Sequence, residues 1–449
     1  MSSAASHPPA NASPPGSTRE MVLLAWPTLI GMLSFTIMDV ADTFFVGLLG
    51  IEQLAAIGIS TMFAFVINSF ALGLSGAFRV IVAQLDGGAS RDRFGVACGT
   101  ALAFSLSLGA ILLSLRFVSE EIFALFGGSA EVQALAVEYF NIRVYGLWAF
   151  IGMTSMGNLL KGAGEVKIPM RTNLLVNALN IALDPIFIFG FAGIPAMGIA
   201  GAAWVTNIVV AIGFAVMFLA ARRHFRQTWR PEWAMVQAAL KYGLPMGIQF
   251  TLEALAWTIF MGLMGRISDA AMAANTAVMR IISVSFLPGY GISEAANILA
   301  GRYAAAGRPD LVRRVWVSGL KVGIAVMGAC GIVFFTLPEH LVGIFSQDPE
   351  IIAYGVQFLT IAALFQIFDA TSMITMNTLN GTGDTRFTLV FSLASAWLIF
   401  VPLSTYLVTR TDAGAVGAWY AICTHLAILS AILSARVFQG GWRGKTLYD

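Results

Sequence analysis

The chain has 449 residues, of which 58% are hydrophobic and 11% charged, with a mean hydropathy of +0.80. It is too apolar for a water-soluble protein and too long for one small bundle. A formal net charge of +2, with no basic block interleaved with aromatics, argues against nucleic-acid binding, and three isolated cysteines, Cys98, Cys330 and Cys423, offer neither a disulfide framework nor a zinc spacing.

The first twenty residues, MSSAASHPPANASPPGSTRE, are rich in Ser, Ala and Pro and read as a short disordered tail (1–20). The apolar segment after Arg19 is too long for a secretory leader, carries Asp39 and Asp42, and lacks a small-residue cleavage site behind a basic region. A bilayer core of about 30 Å needs roughly 20 apolar residues as helix, and a helix satisfies its own backbone amides. Twelve such segments follow: 21–49, 54–82, 94–117, 132–158, 172–191, 197–221, 240–265, 271–299, 315–337, 351–377, 387–408 and 414–437. When the connecting loops are assigned alternately to two sides, nineteen Lys and Arg residues fall on one side and only Arg116, Arg266 and Arg410 on the other. The positive-inside rule then puts both termini in the cytoplasm. The acceptor-like stretches NAS at 11 and NGT at 380 fall on that same side and are discounted as glycosylation sites.

The second half repeats the first. At an offset of 218, Pro27 meets Pro245, Gly47 meets Gly265, Gly73 and Ser75 meet Gly291 and Ser293, and Asp92 meets Asp310. At 219, NLLKGAGEVK (158–167) meets NTLNGTGDTR (377–386), and Phe126 and Glu131 meet Phe345 and Glu350. Six spans per copy is an even number, so both copies enter the membrane in one orientation. They are expected to be related by an axis along the membrane normal, with a cavity between them. The predicted fold is therefore an all-α polytopic membrane protein of twelve transmembrane helices in two six-helix lobes with pseudo-two-fold symmetry. The lobes are 21–221 and 240–437, joined by a basic linker at 222–239 (RRHFRQTWRPEW) and followed by a tail at 438–449.

Acids inside the spans carry the functional signal. Each costs about 2.5 to 3.5 kcal/mol on insertion scales, so such groups face the bundle interior and take part in function. The first half holds Asp42, with Asp39 three residues before it, and Asp184; the second holds Glu253 and Asp369. Their repeat equivalents are Phe260, Phe35 and Phe150 for Asp42, Glu253 and Asp369, so duplication did not supply them symmetrically. Asn177, Asn180 and Asp184 share one face of an apolar helix, and Pro185 removes a backbone donor and frees a carbonyl one turn earlier. A carboxylate, an amide and a loosened carbonyl form an oxygen-rich shell suited to a proton or a small hard cation, and Asp42 would add a second acid. The competing reading for Asp184 is a capped or kinked helix end. Gln249 with Glu253, and Gln366 with Asp369, repeat the polar pairing in the second half. Glu294, in GYGISEAAN, is equally explained by helix packing; Arg79, Arg143 and Arg280 are candidate neutralising partners. Nineteen Met and thirty-three Phe would suit an adaptable aromatic cavity, although lipid-facing and core positions account for most such residues. His425 lies two residues after Cys423 and so on another helix face, which gives no metal site.

WPTLIGMLSFTIMDVADTFFVGLLG on the first span, GLSGAFRVIVAQLDGGA closing the second, KGAGEVKIPM after the fourth, NIALDPIFIFG on the fifth and GIAGAAWVT on the sixth, with their second-half echoes, together resemble the multidrug and toxic compound extrusion (MATE) transporters. The resemblance covers nearly the whole chain after the tail. It implies two lobes around a V-shaped cavity, and export of amphipathic, often cationic compounds in exchange for Na⁺ or H⁺, with no other cofactor. It further implies a monomer in the bacterial inner membrane whose partners are small-molecule substrates and lipid. By position, the family's amino-terminal cation site falls on Asp42, Asn180, Asp184 and Thr206, where Na⁺ is a candidate ligand. Tyr139, Asp39, Asn177 and Gln249 are candidate cavity residues. Glu253 and Asp369 look like the carboxy-terminal acids of the NorM branch, whereas LDP on the fifth span looks like the DinF-like branch. Two other readings are a lipid-linked saccharide flippase of the same superfamily, which would line its cavity with bases, and an intramembrane enzyme, for which no nucleophile–base or HExxH pattern exists.

Overall fold

The computed structural model describes residues 13–124, 129–191 and 193–446. They form helices α1 Thr18–Gly47, α2 Ile51–Gly87, α3 Phe94–Leu113, α4 Ser119–Ala124, α5 Ala130–Val144, α6 Leu147–Gly162, α7 Lys167–Phe189 and α8 Gly198–His224 in the first half. The second half forms α9 Trp233–Gly265, α10 Asp269–Ala305, α11 Pro309–Thr336, α12 Pro338–Gly343, α13 Pro349–Thr382, α14 Thr385–Ser395, α15 Val401–Arg410 and α16 Gly414–Gln439. Among the described residues, eleven helical runs are long and apolar enough to cross a membrane, α14 and α15 being one run joined through a wide turn at Ala396–Phe400. The twelfth crossing is the α5–α6 pair, which is interrupted. The amides of Tyr145 and Gly146 bond only three residues back, to the carbonyls of Ile142 and Arg143, at 3.2 and 3.0 Å. The short helices α4 and α12, which start at Ser119 and Pro338, are again repeat equivalents.

The boundaries differ from the apolar runs where polar chemistry extends a helix. α1 starts at Thr18, inside the stretch expected to be tail, because Ser17 caps it through the Glu20 amide and the Glu20 carboxylate accepts from the Tyr303 hydroxyl at 2.9 Å. Residues 1–12 of that expected tail lie outside the described residues. α8 runs on to His224 and α9 begins at Trp233, which leaves 225–232 as the connection between lobes. α16 reaches Gln439, and the Lys445 carbonyl beyond it accepts from the Tyr242 hydroxyl at 3.2 Å.

Close helix approaches obey the repeat. A Cβ on Gly73 of α2 would lie 2.6 Å from the Gly247 Cα of α9. Its equivalent, Gly291 of α10, abuts Ala25 and Leu29 of α1, and Leu29 is the equivalent of Gly247. On the axis itself, Arg79 Nε donates to Asn297 Oδ1 at 3.1 Å, a bond between residues 218 apart.

Apolar packing shows how the lobes sit. Near the end that carries the termini, clusters mix the lobes: Met235, Ala239 and Tyr242 of α9 join Phe78 and Leu159. Met21 and Ala25 of α1 join Trp316 and Leu433. At the other end, the cluster around Phe123 and Phe140 contains first-lobe residues only, and that around Phe260, Phe358 and Trp419 second-lobe residues only, among the described residues. The two bundles therefore converge at the termini end and part toward the opposite end.

Candidate functional site

α1 and α7 run in the same direction and meet along matched faces. Gly31 and Ser34 of α1 lie against Asn173 and Asn177 of α7, with Asn177 Nδ2 donating to Ser34 Oγ at 2.6 Å and Ser34 Oγ to the Gly31 carbonyl at 2.7 Å. Further along the same two faces come Asp42 on α1 and Asn180 and Asp184 on α7, placed in the half of the first lobe away from the termini. Their helical spacing brings the Asp42 and Asp184 carboxyl groups beside each other. Asn180 and Asp184 are buried, at 0% and 1% exposure, although α7 continues past Pro185 for another turn.

The polar atoms here lack protein partners. Asp42 Oδ1, both Asp184 carboxylate oxygens, both Asn180 amide atoms and Asn177 Oδ1 are buried without a hydrogen bond. Buried polar atoms in folded proteins are nearly always partnered, so this concentration marks a site whose partner is not another side chain. The donors are hard oxygens at one point, the kind of set that suits a proton shared between carboxylates or a small hard cation.

One wall is built from α5. Tyr139, buried, lies beside both carboxylates and within hydrogen-bonding reach of Arg143, which also faces Asp42. Arg143 Nη1 donates to Asn207 Oδ1 at 2.7 Å, and Asn207 Nδ2 donates to the Ile142 carbonyl at 2.5 Å. Asn207 therefore fills the break between α5 and α6, and its Oδ1 lies 2.1 Å from where a Cβ on Gly146 would stand. Any side chain at 146 would evict it. In charge terms, Arg143 and Asp39 act on Asp42 in opposite senses, and the charged neighbour of Asp184 is Asp42.

Asn207 was missed by the sequence reading, which took the neighbouring Thr206. The structure leaves Thr206 half-buried with its hydroxyl donated to the Ala202 carbonyl of its own helix at 2.9 Å, and gives it no bond to the acids. The available signal was an amide in the apolar run WVTNIVV. Asp39 is exposed one turn before Asp42; an exposed carboxylate at that depth requires water, so this face of α1 borders the gap between the lobes.

The second lobe holds a separate group. Gln249 Nε2 donates to Glu253 Oε1 at 3.0 Å and to Ser392 Oγ at 3.2 Å, joining α9 to α14. Asp369, half-buried on α13, has no side-chain hydrogen bond or ion pair among the described residues and is not joined to Glu253. Gln366, one turn earlier, is fully buried with both amide atoms unpartnered.

Glu294, for which the sequence leaves helix packing and a functional role both open, lies at the convergence of the lobes. Its carboxylate pairs with Arg79 of α2 and with Lys161 Nζ of α6 at 2.8 Å. Close by, Asp86 bridges Arg302 at 2.7 Å and Arg91 at 2.6 Å, and Gln84 Nε2 donates to the Gly381 carbonyl at 2.9 Å. These bonds hold the first lobe to the second at the termini end. Of the three intramembrane arginines, Arg79 pairs with Glu294 and Arg143 faces Asp42, whereas Arg280 is exposed and has no ion pair among the described residues.

Two pseudo-symmetric six-helix lobes, locked together at one end and parted at the other, with unpartnered acids inside one of them, define a polytopic membrane transport protein. Residues 27–186 and 245–406, two stretches that begin 218 residues apart, match the model of the MatE family. The chain belongs to that family, as its motifs suggested. It is 27% identical over 443 residues to a probable multidrug resistance protein NorM of Thermotoga maritima, covering 96% of this chain and 95% of the relative. It is 30% identical over 431 residues to a protein of the same description from Pseudomonas aeruginosa, covering 91% and 86%. Among solved structures, a multidrug resistance MATE family transporter described as outward-facing superposes with a TM-score of 0.86 at 20% identity, over 95% of this chain and 97% of that one.

Proposed function

We propose that the protein is a secondary active exporter of amphipathic, often cationic compounds, driven by exchange for H⁺ or Na⁺. It works as a monomer in the bacterial inner membrane with both termini in the cytoplasm. The relatives described as multidrug resistance proteins support the substrate class, and the bias of Lys and Arg to the termini side supports the orientation. In that orientation the convergent end faces the cytoplasm and the parted end faces outward, the state named for the structural neighbour.

The observation that carries the reading is the Asp42–Asp184 pair, whose Asp42 Oδ1 and both Asp184 oxygens are buried without a protein hydrogen bond. Asp42, Asn180 and Asp184 bind the coupling ion; Arg143, held by Asn207, offsets part of the charge at Asp42. A proton or Na⁺ entering from outside neutralises the pair and lets the first lobe close around it. A cationic compound in the gap, bordered by Asp39, competes for the same negative charge, and that competition makes the exchange obligatory. Glu253, Gln249 and Asp369 line the second lobe and contribute to substrate contact. The test is dye efflux from proteoliposomes with Na⁺ and pH gradients imposed separately. Efflux driven by one gradient and lost in Asp184→Asn supports the proposal, and efflux indifferent to both gradients contradicts it.

A further inference from the structure

Away from the gap, α9 and α14 enclose a groove of about 580 Å³ lined by Leu240, Leu244, Pro245, Ile248, Leu389 and Val390, with Gln237, Lys241 and Arg386 at its head. The head lies near the starts of both helices, Trp233 and Thr385, at the termini end of the molecule, and the apolar part runs toward mid-span. Lys241 and Arg386 are exposed and make no ion pair among the described residues. Asp384, the nearest acid in sequence to Arg386, is already bonded to Arg436 at 2.9 Å.

The repeat provides an internal comparison. The first-lobe equivalent of Arg386 is Lys167, whose Nζ lies 6.0 Å over the ring of Trp26. The equivalents of Leu244 and Lys241 are Trp26 and Leu23. Gln237 and Val390 correspond to Arg19 and Arg171, so the first lobe has three bases along this face, with Lys167 stacked on an indole; the second has two, Lys241 over the Tyr242 ring at 5.4 Å and Arg386, both free of ion pairs among the described residues and set above an apolar trough. In a soluble protein two surface bases would signify little. Here they crown an apolar groove in a chain that spans a bilayer, where the matching ligand has an anionic head and an acyl tail.

We infer that the α9–α14 groove is a binding site for an anionic phospholipid, its phosphodiester held between Lys241 and Arg386 and an acyl chain laid along Leu244, Ile248, Leu389 and Val390. Both helices continue into the Gln249–Glu253–Ser392 group, so the bound lipid clamps the two elements that carry it.

The experiment is native mass spectrometry of the purified full-length protein titrated with phosphatidylglycerol, phosphatidylcholine or inorganic phosphate. The expected result is preferential retention of phosphatidylglycerol, weakened about fivefold for each charge removed in Lys241→Gln and Arg386→Gln and unchanged in Lys167→Gln. Leu244→Trp keeps both charges but places an indole where the first lobe has one, and it is expected to displace the lipid. Equal retention of phosphatidylcholine, competition by inorganic phosphate at matched concentration, or full retention by the Lys241→Gln/Arg386→Gln variant would overturn the assignment.

Discussion

Glu294→Gln is the most informative single substitution, because it removes one charge from a cluster that exists only when the lobes touch. Glu294 is 6% exposed at its side chain, Arg79 5% and Lys161 18%. Removing the carboxylate leaves two cations without an anion in a nearly dry interface, a situation that costs about 3–5 kcal/mol in buried ion pairs. Lys161 can swing toward water, so the lower end, about 3 kcal/mol, is the appropriate value here. Arg79 lies on the first lobe and Glu294 on the second, so the cost falls on the state closed at the termini end and not on the state open there. A bias of about 3 kcal/mol moves that equilibrium by about 150-fold. Spin labels at Asp92 and Asp310, exposed repeat equivalents on the two lobes, report the separation by double electron–electron resonance. The short-distance population is expected to collapse in Glu294→Gln. It is expected to return when all three members are replaced by apolar residues of similar volume, because such replacement of a whole buried ion cluster is commonly neutral or stabilising. An unchanged distance distribution in Glu294→Gln would refute the role of the cluster as the closure between lobes.

Three further outcomes follow from the same geometry. Asp42→Asn is expected to abolish ion-driven efflux with normal expression and helix content, and Glu253→Gln and Asp369→Asn to impair it less; the opposite ranking in a dye-efflux assay would move coupling to the second lobe. Asn207→Leu removes the bonds to Arg143 and to the Ile142 carbonyl and is expected to destabilise the protein by about 1–3 kcal/mol, read as a lowered melting temperature, with loss of efflux as Arg143 is freed. Gly73→Ala places a methyl group 2.6 Å from the Gly247 Cα, so the Asp92–Asp310 distance should lengthen while the lobes remain folded. Unaltered distances there would show that α2 and α9 have room to part.

Much of this architecture was legible because the bilayer imposes a simple rule on length and polarity. Each of the twelve crossings stands out as an apolar run, and the duplication shows in loops such as NLLKGAGEVK and NTLNGTGDTR. The interruption of one of them does not: the α5–α6 break depends on the Asn207 side chain of α8 entering between Ile142 and Gly146, a tertiary event with no local signature. Asn180 and Asp184 could be grouped beforehand because acids in spans are costly and helical spacing aligns them, whereas Asp42, on another helix, joined them through the family resemblance. Asn207 lies one residue from Thr206, which on a helix is a rotation of about 100° and thus a different face. Glu294 was opaque for another reason. Its sequence neighbours are small, and its partners Arg79 and Lys161 lie 215 and 133 residues away on the other lobe.

The most direct measurement is substrate exchange by wild type and Asp184→Asn in the same proteoliposomes under an imposed proton or Na⁺ gradient, with ion flux and dye flux recorded together. Coupled fluxes in wild type and the loss of both in Asp184→Asn are expected if the Asp42–Asp184 pair is the ion site. Ion-coupled dye export by Asp184→Asn at the wild-type rate would contradict it.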